Sequence, residues 1–283
     1  MQDIHTHLYW KSFDDDRSEV LARAKDSGIT EMLVVGTTVE ESKQCVEYAI
    51  QYPQLLATVG IHPNEIRGYE IDSADIKIVT DIAELEKLLL AHKDEVVAVG
   101  ECGLDYSESH GAITAADKEN QKRLFEAQIE LALTYQLPLI VHCRSMNAQT
   151  DEAYWDLLEI LKNKAPELAS VIVHCYMGSV SVTQEFLGIP NVYFSFTGNI
   201  TYPVKKEVLG GDFDLTETVK VVPLKKIFVE TDCPFLAPQQ YRGKRNEPSY
   251  VLRVAAKIAE INSTTLSEIE QRVGENFRKV FFT

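Results

Sequence analysis

Six side chains able to ligate a divalent cation are spread over almost the whole chain: His5, His7, Glu101, His142, His174 and Asp232. His5 and His7 stand two residues apart. In a strand that spacing puts both imidazoles on one side, where they can share an ion. Imidazole nitrogen with carboxylate oxygen suits Zn2+, Mn2+ and others, and six ligands are more than one tetrahedral ion uses. The donor set therefore points to two metal ions. A lone histidine at a strand end is ordinarily structural and a lone Glu or Asp is ordinarily a loop residue, so the weight comes from all six falling at strand ends. His92, near a helix end, and His110, in a long loop, are not part of this set.

Bringing such distant residues together is a task for the fold. Short runs rich in Val and Ile read as strands at 3–8, 32–36, 56–60, 96–101, 138–143, 171–175, 192–195 and 227–231. Helical patterns lie between them at 17–27, 40–51, 81–92, 116–136, 151–164 and 180–187, with a looser one at 203–222; two more, 250–261 and 266–281, close the chain. Alternation of this kind, with strands apolar on both faces, predicts an α/β protein whose parallel sheet closes into a (β/α)8 TIM-like barrel. An open doubly wound sheet is the competing arrangement. In a barrel every strand opens its C-terminal end at one mouth, and each of the six ligands lies at or just after such an end. On the helix at 116–136, Thr114 and Asp117 form a capping box, and Leu124, Phe125, Ile129 and Ala132 mark the packed face. Gln121 and Gln128 fall on or beside that face, either bonding neighbouring loops or lying as partly exposed edges. No linker or repeat divides the sequence, which reads as one domain over 1–283.

Lys and Arg number 28 against 43 Asp and Glu, a net charge of −15. That balance excludes a protein that coats nucleic acid without regard to sequence, because such affinity comes from Lys and Arg. Much of the acidity is local: 65–95 holds nine acids and four bases, the composition of a solvated face. Two divalent ions over Glu101 and Asp232 would leave the mouth itself net positive. No apolar run approaches the ~20 residues of a membrane span, and the N-terminus has no export pattern, so a soluble cytoplasmic protein is expected. Cys102, Cys143, Cys175 and Cys233 each follow a proposed ligand; as strand neighbours they should face the opposite side, like Cys45 small apolar residues of the wall.

The segments DIHTHL (3–8), GIHP (60–63), GECGLDY (100–106), LPLIVHCR (137–144), VIVHCYMGS (171–179), FSFTGNI (194–200), ETDCPFLAP (230–238) and RGKRNEP (242–248) resemble, in order, the signatures of the TatD family of metal-dependent hydrolases and deoxyribonucleases. The resemblance implies a barrel in which His5, His7 and Asp232 hold one ion, His142 and His174 the other, and Glu101 bridges them. It also implies hydrolysis of phosphodiester bonds in DNA, often from a 3′ end, with Mg2+, Mn2+ or Zn2+. Asn64 departs from the pattern, standing where family members commonly carry a second histidine, and 69–81 and 107–117 read as longer loops.

The residue types allow a two-metal hydrolysis in which water of lowered pKa attacks phosphorus and Asp232 takes its proton. Arg144, Arg242, Lys244 and Arg245 are candidates to hold substrate phosphates, although an exposed RGKR is equally a solvated turn. His62 is a candidate phosphate or general-acid contact, and Asn246 and Glu247 could orient ligands. DNA is the expected partner, with neither a membrane nor an obligate protein partner. Competing readings are a deacylase acting on aminoacyl-tRNA, an amidohydrolase acting on a small C–N or ester substrate, and a non-catalytic binding protein.

Overall fold

The computed structural model describes residues 1–109 and 111–282, so His110 lies outside the described residues. Eight strands run parallel in the order of the sequence: β1 (Gln2–Thr6), β2 (Glu31–Val35), β3 (Leu55–Val59), β4 (Val96–Asp105), β5 (Leu139–Arg144), β6 (Val171–Val173), β7 (Val192–Phe196) and β8 (Ile227–Val229). The ring closes between β8 and β1. Asp232 N–H donates to the His5 carbonyl at 2.9 Å, His7 N–H donates to the Cys233 carbonyl at 2.9 Å, and Thr231 donates to the Asp3 carboxylate from its backbone (2.9 Å) and its hydroxyl (2.6 Å). These links make a (β/α)8 barrel and dispose of the open sheet.

The outer layer is α1 (Arg17–Asp26), α2 (Val39–Gln51), α3 (Ile71–Ala91), α4 (Ala115–Tyr135), α5 (Glu152–Lys164), α6 (Val180–Leu187), α7 (Leu215–Val221) and α8 (Val251–Ile261), with α9 (Leu266–Phe281) after them. The strands carry the continuous burial of a parallel sheet covered on its outer face; β4 is buried along all of its ten residues. Among the described residues no helix is long and apolar enough to cross a membrane.

Three elements differ from the sequence pattern by more than two residues at a boundary. α3 starts at Ile71, ten residues before the expected start at 81. Its buried face is carried by Ala74, Ile78, Leu85 and Leu89, while Ile76 and Val79 are exposed and blur the period. The looser pattern at 203–222 contracts to α7. β4 runs past Glu101 to Asp105, because Gly103 and Leu104 continue to pair with His142 and Cys143 on β5.

The two glutamines of α4 both face inward and bond strand ends. Gln121 accepts from Asp105 N–H and donates to its carbonyl, both at 2.9 Å. Gln128 does the same to Ile61, at 2.8 and 3.0 Å. Both amides are completely buried and satisfy backbone groups that leave the sheet at the mouth.

Candidate metal centre

Local backbone geometry puts the candidate ligands in place. Gly100 and Gly103 adopt φ of 144° and 130°, and a Cβ on Gly103 would fall on the carbonyl oxygen of His142. Only glycine allows β4 to lie this close to β5, and so Glu101 sits directly against His142. Asp232, with φ 55°, and Cys175, with φ 43°, are left-handed non-glycine residues just beyond β8 and β6. Strain of this kind recurs at functional sites.

The carboxylate of Glu101 is the hub. Its Oε1 lies 2.8 Å from His142 Nδ1 and 2.8 Å from His174 Nε2, and its Oε2 lies 3.3 Å from His5 Nε2 and 4.0 Å from His7 Nε2. Asp232 Oδ1 completes the second group at 3.4 Å from His7 Nε2 and 3.8 Å from His5 Nε2. The six residues thus form two adjoining triads, His5/His7/Asp232 and Glu101/His142/His174. Within them the ring nitrogens crowd together: His5 Nε2 is 3.3 Å from His7 Nε2, His142 Nδ1 is 3.3 Å from His174 Nε2, and the His5 and His174 rings stack at 3.9 Å.

These residues fit divalent cations by donor chemistry. His7 Nδ1 is 3.2 Å from the Val35 carbonyl, a partner that can only accept. The proton of a neutral His7 therefore sits on Nδ1, and its Nε2 lone pair faces the Asp232 carboxylate and His5. Acceptors converging without a donor call for a proton or a metal ion between them. The titration behaviour agrees. Burial opposes protonation of His7, but Asp232 and Glu101 raise its pKa above the ordinary value. Burial likewise opposes ionisation of Glu101, yet His174, His5 and His142 hold it well below the carboxylate range. Asp232 is also held low, against its burial, by His7 and His5.

The structure adds two carboxylates that the sequence pattern passed over. Asp105 Oδ2 lies 3.5 Å from His142 Nε2 and accepts from Asn64 Nδ2 at 2.9 Å, while Oδ1 accepts from Ser107 N–H at 2.8 Å. Glu230 Oε1 lies 3.3 Å from His174 Nδ1 and accepts from Cys175 N–H at 2.7 Å. Both stand behind a histidine, where an outer carboxylate orients the ring. A signal was available: each belongs to the same short motif as a ligand, four residues after Glu101 and two before Asp232.

The expected substrate contacts divide. Arg144 lines the cleft above the centre, Lys244 is exposed on the loop after β8, and among the described residues neither forms an ion pair. Arg242 is exposed with its guanidinium 4.6 Å from the centre of the Tyr202 ring. Arg245 is a correction, because it is already engaged: it pairs with Asp16 at 2.6 Å, bonds the Ser12 carbonyl and covers Phe13. Glu247 is another. It takes Arg23 at 2.7 Å and Ser249 at 2.6 Å, and so braces the loop rather than facing a ligand. Asn246 donates to the carbonyls of Thr231 (2.8 Å) and Phe235 (2.6 Å), holding the turn that carries Asp232. His62 Nε2 reaches to 3.6 Å from Glu101 Oε1, and burial together with the neighbouring His142 pushes its pKa down to about 3. A neutral imidazole suits hydrogen-bond donation to a phosphate better than general-acid catalysis.

Cys143 and Cys175 also reach the cleft, contrary to the expectation that all four flanking cysteines face away. Strand alternation does not govern Cys175, since β6 ends at Val173 and the chain turns there. The cleft encloses about 620 Å³. A groove of about 630 Å³ between α3 and α4 is no rival: Asp75 and Glu130 are taken by Arg123 and Lys164, and among the described residues no histidine or cysteine lines it.

Paired triads of histidine and carboxylate, joined through one glutamate at the C-terminal mouth of a parallel barrel, are the equipment of a metal-dependent hydrolase. Comparison with known proteins narrows this class: residues 2–282 match the model of the TatD-related DNase family, and the chain belongs to that family. It is 37% identical over 279 residues to an uncharacterised metal-dependent hydrolase of Bacillus subtilis, covering 99% of this chain and 98% of the relative. It is 32% identical over 263 residues to the 3′-5′ ssDNA/RNA exonuclease TatD of Salmonella typhimurium, covering 92% and 90%. Among solved structures, a TatD homologue from Escherichia coli K12 superposes with a TM-score of 0.83 at 26% identity, covering 100% of this chain and 98% of that one.

Proposed function

We propose that this protein hydrolyses phosphodiester bonds of single-stranded DNA from the 3′ end, with two divalent ions at the barrel mouth. The observation that carries the reading is the hub position of Glu101, whose two oxygens each face a different histidine pair. His5, His7 and Asp232 would hold one ion and His142 with His174 the other, Glu101 belonging to both. Bound there, such ions lower the pKa of water and neutralise charge on phosphoryl oxygens. Asp232 is ionised and more open to the cleft than Glu101, its side chain 14% exposed against 5%, so it accepts the proton of the attacking water. His62 donates to a non-bridging oxygen, and Arg144 and Lys244 hold the scissile and adjacent phosphates. The bond from phosphorus to the 3′ oxygen breaks, releasing a 5′-phosphorylated nucleotide and a shortened strand with a 3′ hydroxyl. The exonuclease named among the relatives supports this substrate class. Amidohydrolase chemistry on a small C–N substrate is less well supported, because the residue joining the two triads is Glu101 and no lysine lines the cleft among the described residues.

The test is turnover of end-labelled single-stranded DNA, a phosphodiester dye ester and acylated tRNA, each with Mg2+, Mn2+ or Zn2+. Stepwise shortening of the DNA from its 3′ end is expected, and Asp232→Asn should lower kcat about 10²- to 10⁴-fold. Efficient deacylation with intact DNA in every metal would overturn the assignment.

A further inference from the structure

The cleft is chemically lopsided. On the side of β3 to β5 it presents Asn64, Ser109 and Arg144; on the opposite side it presents Trp10, Met177, Phe235 and Leu236. Trp10 and Phe235 meet edge to face, with centroids 4.9 Å apart and planes at 89°. Both stand over the first triad, their centroids 5.6 and 6.4 Å from that of His7. Phe235 is 45% exposed although it borders the most polar part of the molecule.

Trp10 is half-buried against the core and Phe235 is exposed, and the backbone of both is held firmly. Trp10 rides on the turn after β1, where its backbone N–H donates to the His7 carbonyl at 3.1 Å and Arg17 bonds the carbonyls of Leu8 and Trp10 at 2.7 and 3.4 Å. Phe235 N–H donates to the Asp232 carbonyl at 2.9 Å, and Asn246 holds the Phe235 carbonyl at 2.6 Å. Rings carried on a fixed backbone lose less freedom when a ligand stacks on them. A ligand filling this cleft must carry an anionic group at the triads and a flat apolar group a few ångströms away.

We propose that Trp10 and Phe235 form a stacking platform for one unpaired nucleobase, that of the nucleotide whose phosphate lies at the metal centre. Base on aromatic ring is tolerant of sequence, and it requires a base freed from its complement. The platform therefore selects single strands and frayed ends. This inference rests on the phosphodiesterase reading above, and its test separates the two.

Only Trp10 and Trp155 could fluoresce as indoles, and Trp155 is exposed on α5, away from the cleft lining. Emission of Trp10 in a Trp155→Phe background, with metal supplied, is titrated with dAMP and with 2-deoxyribose 5-phosphate. Quenching by dAMP is expected, with affinity roughly ten-fold tighter than for the sugar phosphate. Phe235→Ala should abolish the difference and Phe235→Tyr preserve it. Equal affinity for the two ligands, or Trp10 emission blind to dAMP, would overturn the platform even in a protein that degrades DNA. Base-dependent quenching in a protein that hydrolyses no phosphodiester would leave the platform standing and remove the nuclease reading.

Discussion

The centre depends on residues whose partners matter more than their own chemistry. Glu101 is buried and ionised only because His174, His5 and His142 surround it, and His142 in turn has Asp105 behind its second nitrogen. Asp105 is a positioning residue, and Asp105→Ala should weaken metal binding about 10- to 100-fold. Competition against a chelating dye measures this; unchanged affinity would reduce Asp105 to a brace for Asn64 and Ser107. The clustering of the six candidate ligands was legible in the sequence because imidazoles at successive strand ends have few structural uses together. Asp105 and Glu230 share short motifs with Glu101 and Asp232 but were passed over, since a carboxylate near a strand end looks like any loop acid until the ring it faces is known. Arg245 misled in the opposite sense: its motif implied a phosphate, and its geometry gives it Asp16.

At the scale of elements, periodicity found every strand and misjudged boundaries, as in the first half of α3, where exposed Ile76 and Val79 blur the period, and in β4, whose pairing continues past Glu101. Capping chemistry was read correctly at α4, where Thr114 and Asp117 form a reciprocal box. Asp117 does more than cap, because it also accepts from Gly68 N–H at 2.7 Å and so ties the loop after β3 to the helix. Burial would raise its pKa, but donors on Gly68 and Thr114 hold it below the ordinary value. A depressed folded-state pKa stabilises above the unfolded value of about 3.9 and is lost as pH falls through the lower folded one. Asp117→Asn should therefore cost about 1 kcal/mol near neutrality and progressively less in acid. Denaturant melts at neutral pH and near pH 3 check the sign; a penalty that grows towards acid would contradict it. Gln121 and Gln128 show what pattern alone leaves open, since only packing reveals that both amides close strand ends at the mouth.

The whole molecule is acidic, with a net charge of −15, and yet the proposed substrate is anionic. Counting only Glu101 and Asp232, two divalent ions would make the mouth positive. The structure adds Asp105 and Glu230, so four carboxylates face the centre and two ions would only balance them. Without metal those four charges are offset only by protons on His7, His142 and His174, whose pKa values they raise against burial, so the mouth should hold phosphate more weakly. Binding and turnover should both collapse on chelation, more steeply than the exposed cations alone would suggest. The most direct measurement is metal content per chain by mass spectrometry, taken alongside product mapping on 3′-end-labelled single-stranded DNA, before chelation, after it and after metal is restored. Two ions per chain, 3′-shortened products and loss of both on chelation are expected, with Glu101→Gln retaining at most one ion and little activity. DNA hydrolysis that survives complete removal of metal, or two tightly held ions with no phosphodiester cleavage, would contradict the account.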